Sequence, residues 1–275
     1  MRPLESKVAV VTGAGRGIGR AIAMKLASAG TKLIVNDLDI GPAQDVVQEI
    51  RNCGGDATAY PGDITRPDFG ERFIAAAVDT YKGLDIIVNN AGYTWDSVIQ
   101  KMSDEQWYAI IDCHLTAPFR ILRAAQPVIR EFSKAEQAGG QAIFRKVVNI
   151  SSASGLSGNP GQVNYSAAKA GIIGLTMTLA KEWGRLNTNV NCVAFGLIET
   201  RLTATTSDVS STIQIGPHEV RVGVNPQFLE TLQKNIPLGH AGSPEDAANA
   251  VYLLCLPESN YISGQTILCS GGLSA

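Results

Sequence analysis

Three side chains in the middle of the chain have the types and spacing to move a proton. Tyr165 and Lys169, in Tyr165-Ser166-Ala167-Ala168-Lys169, stand four residues apart, which on a helix puts them on one face a turn apart. A free tyrosine ionises near pH ~10 and is a poor base at neutral pH, but a lysine ammonium within ~4–6 Å favours the tyrosinate. Lowering the tyrosine pKa by about three units takes roughly 4 kcal/mol of differential stabilisation, which a lysine acting with a second positive group can supply. Ser152 closes Asn149-Ile150-Ser151-Ser152, thirteen residues before Tyr165. Two neighbouring strand tips would bring its hydroxyl beside the tyrosine, where it can hydrogen-bond a carbonyl oxygen. A lone Y-x-x-x-K is usually a solvated helix face; here its company argues otherwise.

That company begins at the N-terminus. Thr12-Gly13-Ala14-Gly15-Arg16-Gly17-Ile18-Gly19 follows an apolar run, Val8-Ala9-Val10-Val11, and precedes a helical stretch. Glycines at 13, 17 and 19 allow a tight turn that brings backbone N–H groups to a pyrophosphate at a helix N-terminus. A glycine-rich turn alone is a weak signal; placed between the first strand and the first helix it is a strong one for a dinucleotide. Asp37 ends the second apolar run eighteen residues past Gly19. There an acidic side chain accepts from the adenosine ribose diol of NAD(H) and repels the 2′-phosphate of NADP(H). Arg16 pulls the other way, since a loop arginine can pair with a 2′-phosphate. Asp37 favours NAD(H), and Arg16 leaves NADP(H) open.

The elements that must position these groups follow from periodicity. Runs at 7–11, 32–36, 57–60, 84–89, 146–151, 189–193 and 265–269 read as strands, apolar on both faces, as parallel strands under two helical layers are. Helices are expected at 17–29, 42–53, 67–82, 104–133, 163–186 and 244–256. Ser103-Asp104-Glu105-Gln106 is a capping box, and Ser243-Pro244 places serine at a cap and proline at the first helical position. The fold class is therefore α/β, a Rossmann-type doubly wound parallel sheet of about seven strands in a single domain over 1–275. Two stretches interrupt the alternation: 134–145, read as a surface loop, and about 201–240, read as a substrate loop or lid.

Composition limits the function classes. The chain has 275 residues, 45% of them hydrophobic and 17% charged, a globular balance. Its formal charge of −2 provides no basic field for nucleic acid or membrane. No apolar run reaches the ~18 residues of a membrane span, and nothing resembles a signal peptide. Five dispersed cysteines without a C-x-x-C pair read as reduced core thiols of a cytoplasmic protein. The three histidines have no metal-ligand spacing, so no metal is expected.

Taken in order along the chain, Thr12–Gly19, Asp63 in Gly62-Asp63-Ile64-Thr65, Asn89-Asn90-Ala91-Gly92, Ser152, Tyr165-x-x-x-Lys169 and Phe195-Gly196-Leu197-Ile198-Glu199-Thr200 resemble the short-chain dehydrogenase/reductase family. The resemblance covers nearly the whole chain. It implies that Tyr165 is the general acid/base, that Lys169 holds the nicotinamide ribose and depresses the Tyr165 pKa, and that Ser152 orients the substrate oxygen. It also implies cofactor contacts from Gly13, Gly15, Arg16, Gly17, Ile18, Gly19, Asp37, Asp63, Ile64, Asn90, Ala91, Gly92, Ile198 and Thr200. A largely apolar pocket is implied, walled by Tyr93, Trp95 and Leu197 with Ser154 nearby, and the assembly implied is a homotetramer.

Two positions depart from the family pattern. His114 stands where the family usually has an asparagine that holds a water in the proton relay. A histidine can also hold a water, though its charge changes near pH 6–7; the alternative is a satisfied buried histidine. Phe195 stands where the family often has proline. Val35–Leu38 with His114-Leu115 and Ser152–Gly155 resembles (3R)-hydroxyacyl-CoA dehydrogenase domains, and Gly158–Tyr165 resembles 3-oxoacyl-carrier-protein reductases. The resulting expectation is hydride transfer between NAD(H) and a secondary alcohol or ketone, with 3-hydroxyacyl/3-oxoacyl thioesters as one substrate class. The alternatives are an NADPH-dependent 3-oxoacyl-carrier-protein reductase and an inactive dinucleotide sensor. Arg120, Arg123, Arg130 and Lys134 could meet an acidic carrier or CoA phosphates, or form a solvated face.

Overall fold

The computed structural model describes residues 2–201, 203, 212–215, 218–221 and 226–273. The strands are β1 (Val8–Val11), β2 (Lys32–Asp37), β3 (Asp56–Pro61), β4 (Ile86–Asn89), β5 (Arg145–Ser152), β6 (Thr188–Phe195), β7 (Thr212–Ile215), β8 (His218–Arg221) and β9 (Thr266–Cys269). The helices are α1 (Gly17–Ser28), α2 (Ile40–Asn52), α3 (Phe69–Tyr81), α4 (Asp104–Ile111), α5 (Ala117–Ala138), α6 (Ser154–Ser157), α7 (Val163–Trp183), α8 (Pro226–Lys234) and α9 (Pro244–Cys255). Seven strands form one parallel sheet in the order β3-β2-β1-β4-β5-β6-β9.

Strand periodicity explains why those runs are apolar throughout. On β1, Ala9 and Val11 enter one core with α1, α2 and α9, while Val8 and Val10 enter a second core with α3 and α5. Leu33 and Val35 against Ile34, and Ile86 and Val88 against Ile87, divide in the same way. Successive side chains face opposite layers, so each strand must be greasy on both sides. The order reverses between β1 and β4, and a doubly wound sheet opens a crevice at that point, outside the carboxyl ends of its strands.

Three expectations need correction. The single helix over 104–133 is two helices with a π-helical turn, Asp112–Thr116, between them. Pro118 has no N–H to donate to the carbonyl of His114 four residues earlier, and its ring crowds that carbonyl, so the turn widens. The loop over 134–145 begins later, because α5 continues to Ala138; Glu136 there pairs with the buried Arg145 at the start of β5. Within 201–240, β7 and β8 pair antiparallel and α8 lies at Pro226–Lys234; the lid expectation at 202, 204–211, 216–217 and 222–225 falls outside the described residues.

Candidate active site

The glycine turn is sewn to the ends of β2 and β4. Gly13 N donates to Asn36 Oδ1 at 3.3 Å and Gly15 N to Asp37 Oδ2 at 3.0 Å. Asn90 Nδ2 donates to the carbonyls of Thr12 and Gly13, and Thr12 Oγ1 accepts the N–H groups of Asn90 and Ala91. Gly13 and Gly17 have φ of 60° and 51°, the left-handed region in which a side chain is strained. A Cβ on Gly13 would press on the Ala91 backbone at 2.7 Å, whereas Gly17 faces open space with Thr200 Cγ2 3.8 Å away. No side chain caps α1, and its first turn carries no acidic residue. The open N–H groups and positive dipole end at Gly17, Ile18 and Gly19 fit a pyrophosphate.

At the adenosine end, Asp37 is 8% exposed and accepts from Gly15 N and Asp39 N. Arg16, which could have served a 2′-phosphate, lies against two carboxylates: Asp37 at 3.4 Å and Asp39 at 3.2 Å. This triad carries one net negative charge. Asp63 is exposed and accepts from Thr65 N and Oγ1, while the Ile64 side chain turns into the second core. At the other end, Ile198 is buried and Thr200 N donates to Thr203 Oγ1 at 2.8 Å. Leu197 O accepts Gly242 N, which ties that loop to the approach of α9.

The sheet and α7 also bring Ser152, Tyr165 and Lys169 together. Ser152 ends β5, and its Oγ accepts Ser154 N at 3.2 Å and hydrogen-bonds Tyr165. Burial pushes the Tyr165 hydroxyl up to about 12, and the Ser152 hydrogen bond opposes that rise. Lys169 Nζ is 5.5 Å from the Tyr165 ring centroid but donates to Ile150 O at 2.7 Å. Burial brings its own pKa down to about 8. Burial is the largest influence on the tyrosine, and it acts against the depression of the Tyr165 pKa expected from Lys169.

His114, brought inward by the π-helical turn, stands edge-on to Tyr165, with ring centroids 5.1 Å apart at 84°. Its Nε2 lies 2.7 Å from Tyr93 O and 3.3 Å from Tyr93 N; the shorter contact is to a carbonyl, which only accepts, and so favours the tautomer with the hydrogen on Nε2 and the lone pair on Nδ1. That buried Nδ1 has no partner among the described residues. Burial, then the charge of Lys169, holds the imidazole well below its ordinary range, which corrects the expectation of a charge change near pH 6–7. Gly92 packs on the same ring, leaving no room for a Cβ.

Of the expected pocket walls, Tyr93 is the exception. Its hydroxyl donates to Ala109 O at 3.2 Å and its ring packs on the second core, so it meets the site through its backbone. Trp95 and Leu197 are half-buried, and Ser154 donates to Gln162 Oε1 at 3.3 Å. Phe195 is buried in the first core, continuing β6 to its pairing with Ser152. Sequence reasoning missed Asp96 and Gln162, whose side chains meet at 2.8 Å across 66 residues of chain; no local pattern signals such a contact.

Comparison with known proteins agrees with this geometry. The family model for short chain dehydrogenases matches residues 7–210. The chain is 37% identical over 275 residues to a 3-oxoacyl-[acyl-carrier-protein] reductase of Synechocystis sp., covering 99% of both chains. It is 36% identical to the enzyme of that name from Vibrio cholerae and 38% identical to the one from Aquifex aeolicus, with 98% of each chain covered. A glycine turn at the switch point of a doubly wound sheet, a serine, tyrosine and lysine at its carboxyl edge, and relatives matched end to end lead to one conclusion: the chain belongs to the short-chain dehydrogenase family.

Proposed function

We propose that the protein interconverts 3-oxoacyl and 3-hydroxyacyl thioesters, using NAD(H). The substrate class draws support from the name shared by its relatives, 3-oxoacyl-[acyl-carrier-protein] reductase, and from half-buried Trp95 and Leu197 at the mouth. The cofactor rests on one observation: Asp37 is held by Gly15 N, with Arg16 turned onto Asp37 and Asp39. A 2′-phosphate would enter beside a net negative charge, whereas a ribose diol finds an acceptor.

A bound dinucleotide supplies or takes the hydride. The chain's own residues do the rest. Ser152 Oγ–H donates to the substrate oxygen and holds it beside Tyr165. In reduction the Tyr165 O–H proton passes to that oxygen as the carbon receives hydride, and the tyrosinate regains a proton from solvent. Lys169, once its ammonium leaves Ile150 O for the ribose, would face the Tyr165 oxygen and lower its pKa. His114, neutral, fixes the Tyr93 carbonyl with one nitrogen and offers the other as an acceptor for a relay water.

The test is turnover of a 3-oxoacyl-CoA and of its carrier-protein counterpart with NADH and NADPH separately. Turnover with NADH supports the proposal; loss of all turnover with tight dinucleotide binding means a sensor. A second reading, an NADPH-linked 3-oxoacyl-carrier-protein reductase, is favoured by the relatives' names and by the half-exposed Arg16 guanidinium, which a phosphate could draw off Asp39. A homotetramer is proposed with either reading, to be checked by light scattering. Among the described residues no helix is long and apolar enough to cross a membrane, and no group of histidine, cysteine or carboxylate side chains has metal-binding geometry.

A further inference from the structure

Tyr165 is anchored first at its backbone. Its N–H donates to Asn164 Oδ1 at 2.8 Å, and the fully buried Asn164 directs its own amide N–H groups to Trp95 O at 3.2 Å and Gln106 O at 3.0 Å. The start of α7 is thereby tied to the segment after β4 and to α4. The side chain beyond this anchor still has its own rotations. A small swing about Cα–Cβ displaces the hydroxyl most, because it lies at the far end of the ring. What the ring packs against therefore decides where the proton donor sits. His114 supplies an aromatic partner, its centroid 5.1 Å from that of Tyr165 and its plane at 84° to it. Ring pairs of this perpendicular kind attract beyond the area they bury.

A support of this kind must itself be fixed. His114 is 3% exposed, on the π-helical turn that also buries Cys113. Its Nε2 is held against the Tyr93 backbone, 2.7 Å from the carbonyl and 3.3 Å from the N–H. Gly92 packs on the same imidazole: a Cβ there would come within 2.9 Å of Nδ1 and 3.2 Å of Nε2. Burial, then the charge of Lys169, keeps the ring neutral, so it acts on the tyrosine by shape. We propose that the His114 ring is a positioning residue for Tyr165: wedged between Gly92 and the phenol, it holds the phenol in the pose that brings its hydroxyl to Ser152 and the substrate oxygen. This role belongs to the ring and is separate from the nitrogen that accepts a water. An asparagine, the usual family residue at this position, has an amide for the water and no ring for the tyrosine. The proposal rests on the reading of Tyr165 as the acid/base group. Its benefit is orientation, since a proton donor displaced by a fraction of an ångström transfers more slowly.

The test compares wild type, His114→Asn and His114→Phe in two readouts. The first is the flip rate of the Tyr165 ring, from ring-carbon NMR of labelled tyrosine with oxidised dinucleotide bound, assigned by Tyr165→Phe; it needs no substrate. The second is kcat and KM for a 3-oxoacyl-CoA across pH. His114→Asn keeps an amide that holds a water and removes the ring. It is expected to raise the flip rate about tenfold, the order that a perpendicular ring pair contributes, and to lower kcat by a similar factor at every pH with KM little changed. His114→Phe restores a ring without either nitrogen and is expected to return the flip rate to the wild-type value. Should it fail to fold, with Tyr93 O left unpaired, His114→Asn decides alone. A wild-type flip rate in His114→Asn would overturn the proposal whatever kcat does, and would leave His114 only its water-holding nitrogen. A raised flip rate in that variant, in a protein that turns over no thioester, would uphold the ring contact and overturn the substrate reading instead.

Discussion

Replacing Asp37 with asparagine separates two things the carboxylate does. An asparagine has one oxygen where the carboxylate has two: it can still accept Gly15 N, 3.0 Å from Oδ2, which keeps the glycine turn anchored, while its NH2 cannot accept Asp39 N, 3.2 Å from Oδ1. What disappears is the charge, along with its pull on Arg16, which lies 3.4 Å away. A 2′-phosphate lodged about 5 Å from a unit negative charge, at an effective dielectric near 20, meets a repulsion of about 3 kcal/mol. Removing it, with Arg16 partly released to pair with the phosphate, is expected to improve NADPH affinity relative to NADH by roughly a hundredfold. NADH affinity itself should fall only a few-fold, because the ribose diol still finds an acceptor. Separate fluorescence titrations with the two reduced dinucleotides give the ratio, and thermal unfolding checks that the turn survives. Wild-type protein that binds NADPH as tightly as NADH, or a ratio unmoved in Asp37→Asn, would refute the argument and hand cofactor choice to Arg16.

Other outcomes follow from the same geometry. Tyr165→Phe removes the proton donor and is expected to lower turnover by about a thousandfold while dinucleotide titrations change little. Gly92→Ala forces a Cβ into the buried His114 ring and is expected to cost about 1–3 kcal/mol, read from denaturant midpoints. Stability should also depend on pH with two opposing slopes. Lys146 and Lys169 have folded pKa values brought down to about 8 from 10.5, so the unfolded chain binds more protons and stability rises as pH climbs above 8. Buried Cys113, Cys192 and Cys255 are pushed up to about 11 or 12 from 9, so the folded chain holds more protons and stability falls above pH 9. Denaturant midpoints should therefore peak near pH 9, and Lys146→Met should flatten the rising limb. A midpoint that only falls from pH 7 upward would contradict the burial assigned to those lysines.

Much of the molecule is legible along the chain because its determinants are local. Glycines at 13 and 17 answer a backbone need of their own turn, and both adopt positive φ. Strand alternation on β1 splits its side chains between two cores because pleating is a property of the strand itself. Ser103 and Ser243 form capping boxes because each box closes within four residues.

What tertiary structure alone decided are contacts between segments far apart in sequence, and the electrostatics they create. Arg16 could as well have served a phosphate; it lies on Asp37 and Asp39 because the ends of β1 and β2 are neighbours. Pro118 marks a local irregularity, but only packing against Gly92 and Tyr165 makes the turn before it carry a buried, neutral His114. A four-residue spacing places Tyr165 and Lys169 on one face, yet whether lysine or burial controls the tyrosine depends on where the ammonium points, and here it points to Ile150 O. Asp96 and Gln162 meet at 2.8 Å across 66 residues of chain. Residue types and local spacing set which groups can do chemistry; the dielectric around them, and so their charge, is a property of everything packed against them.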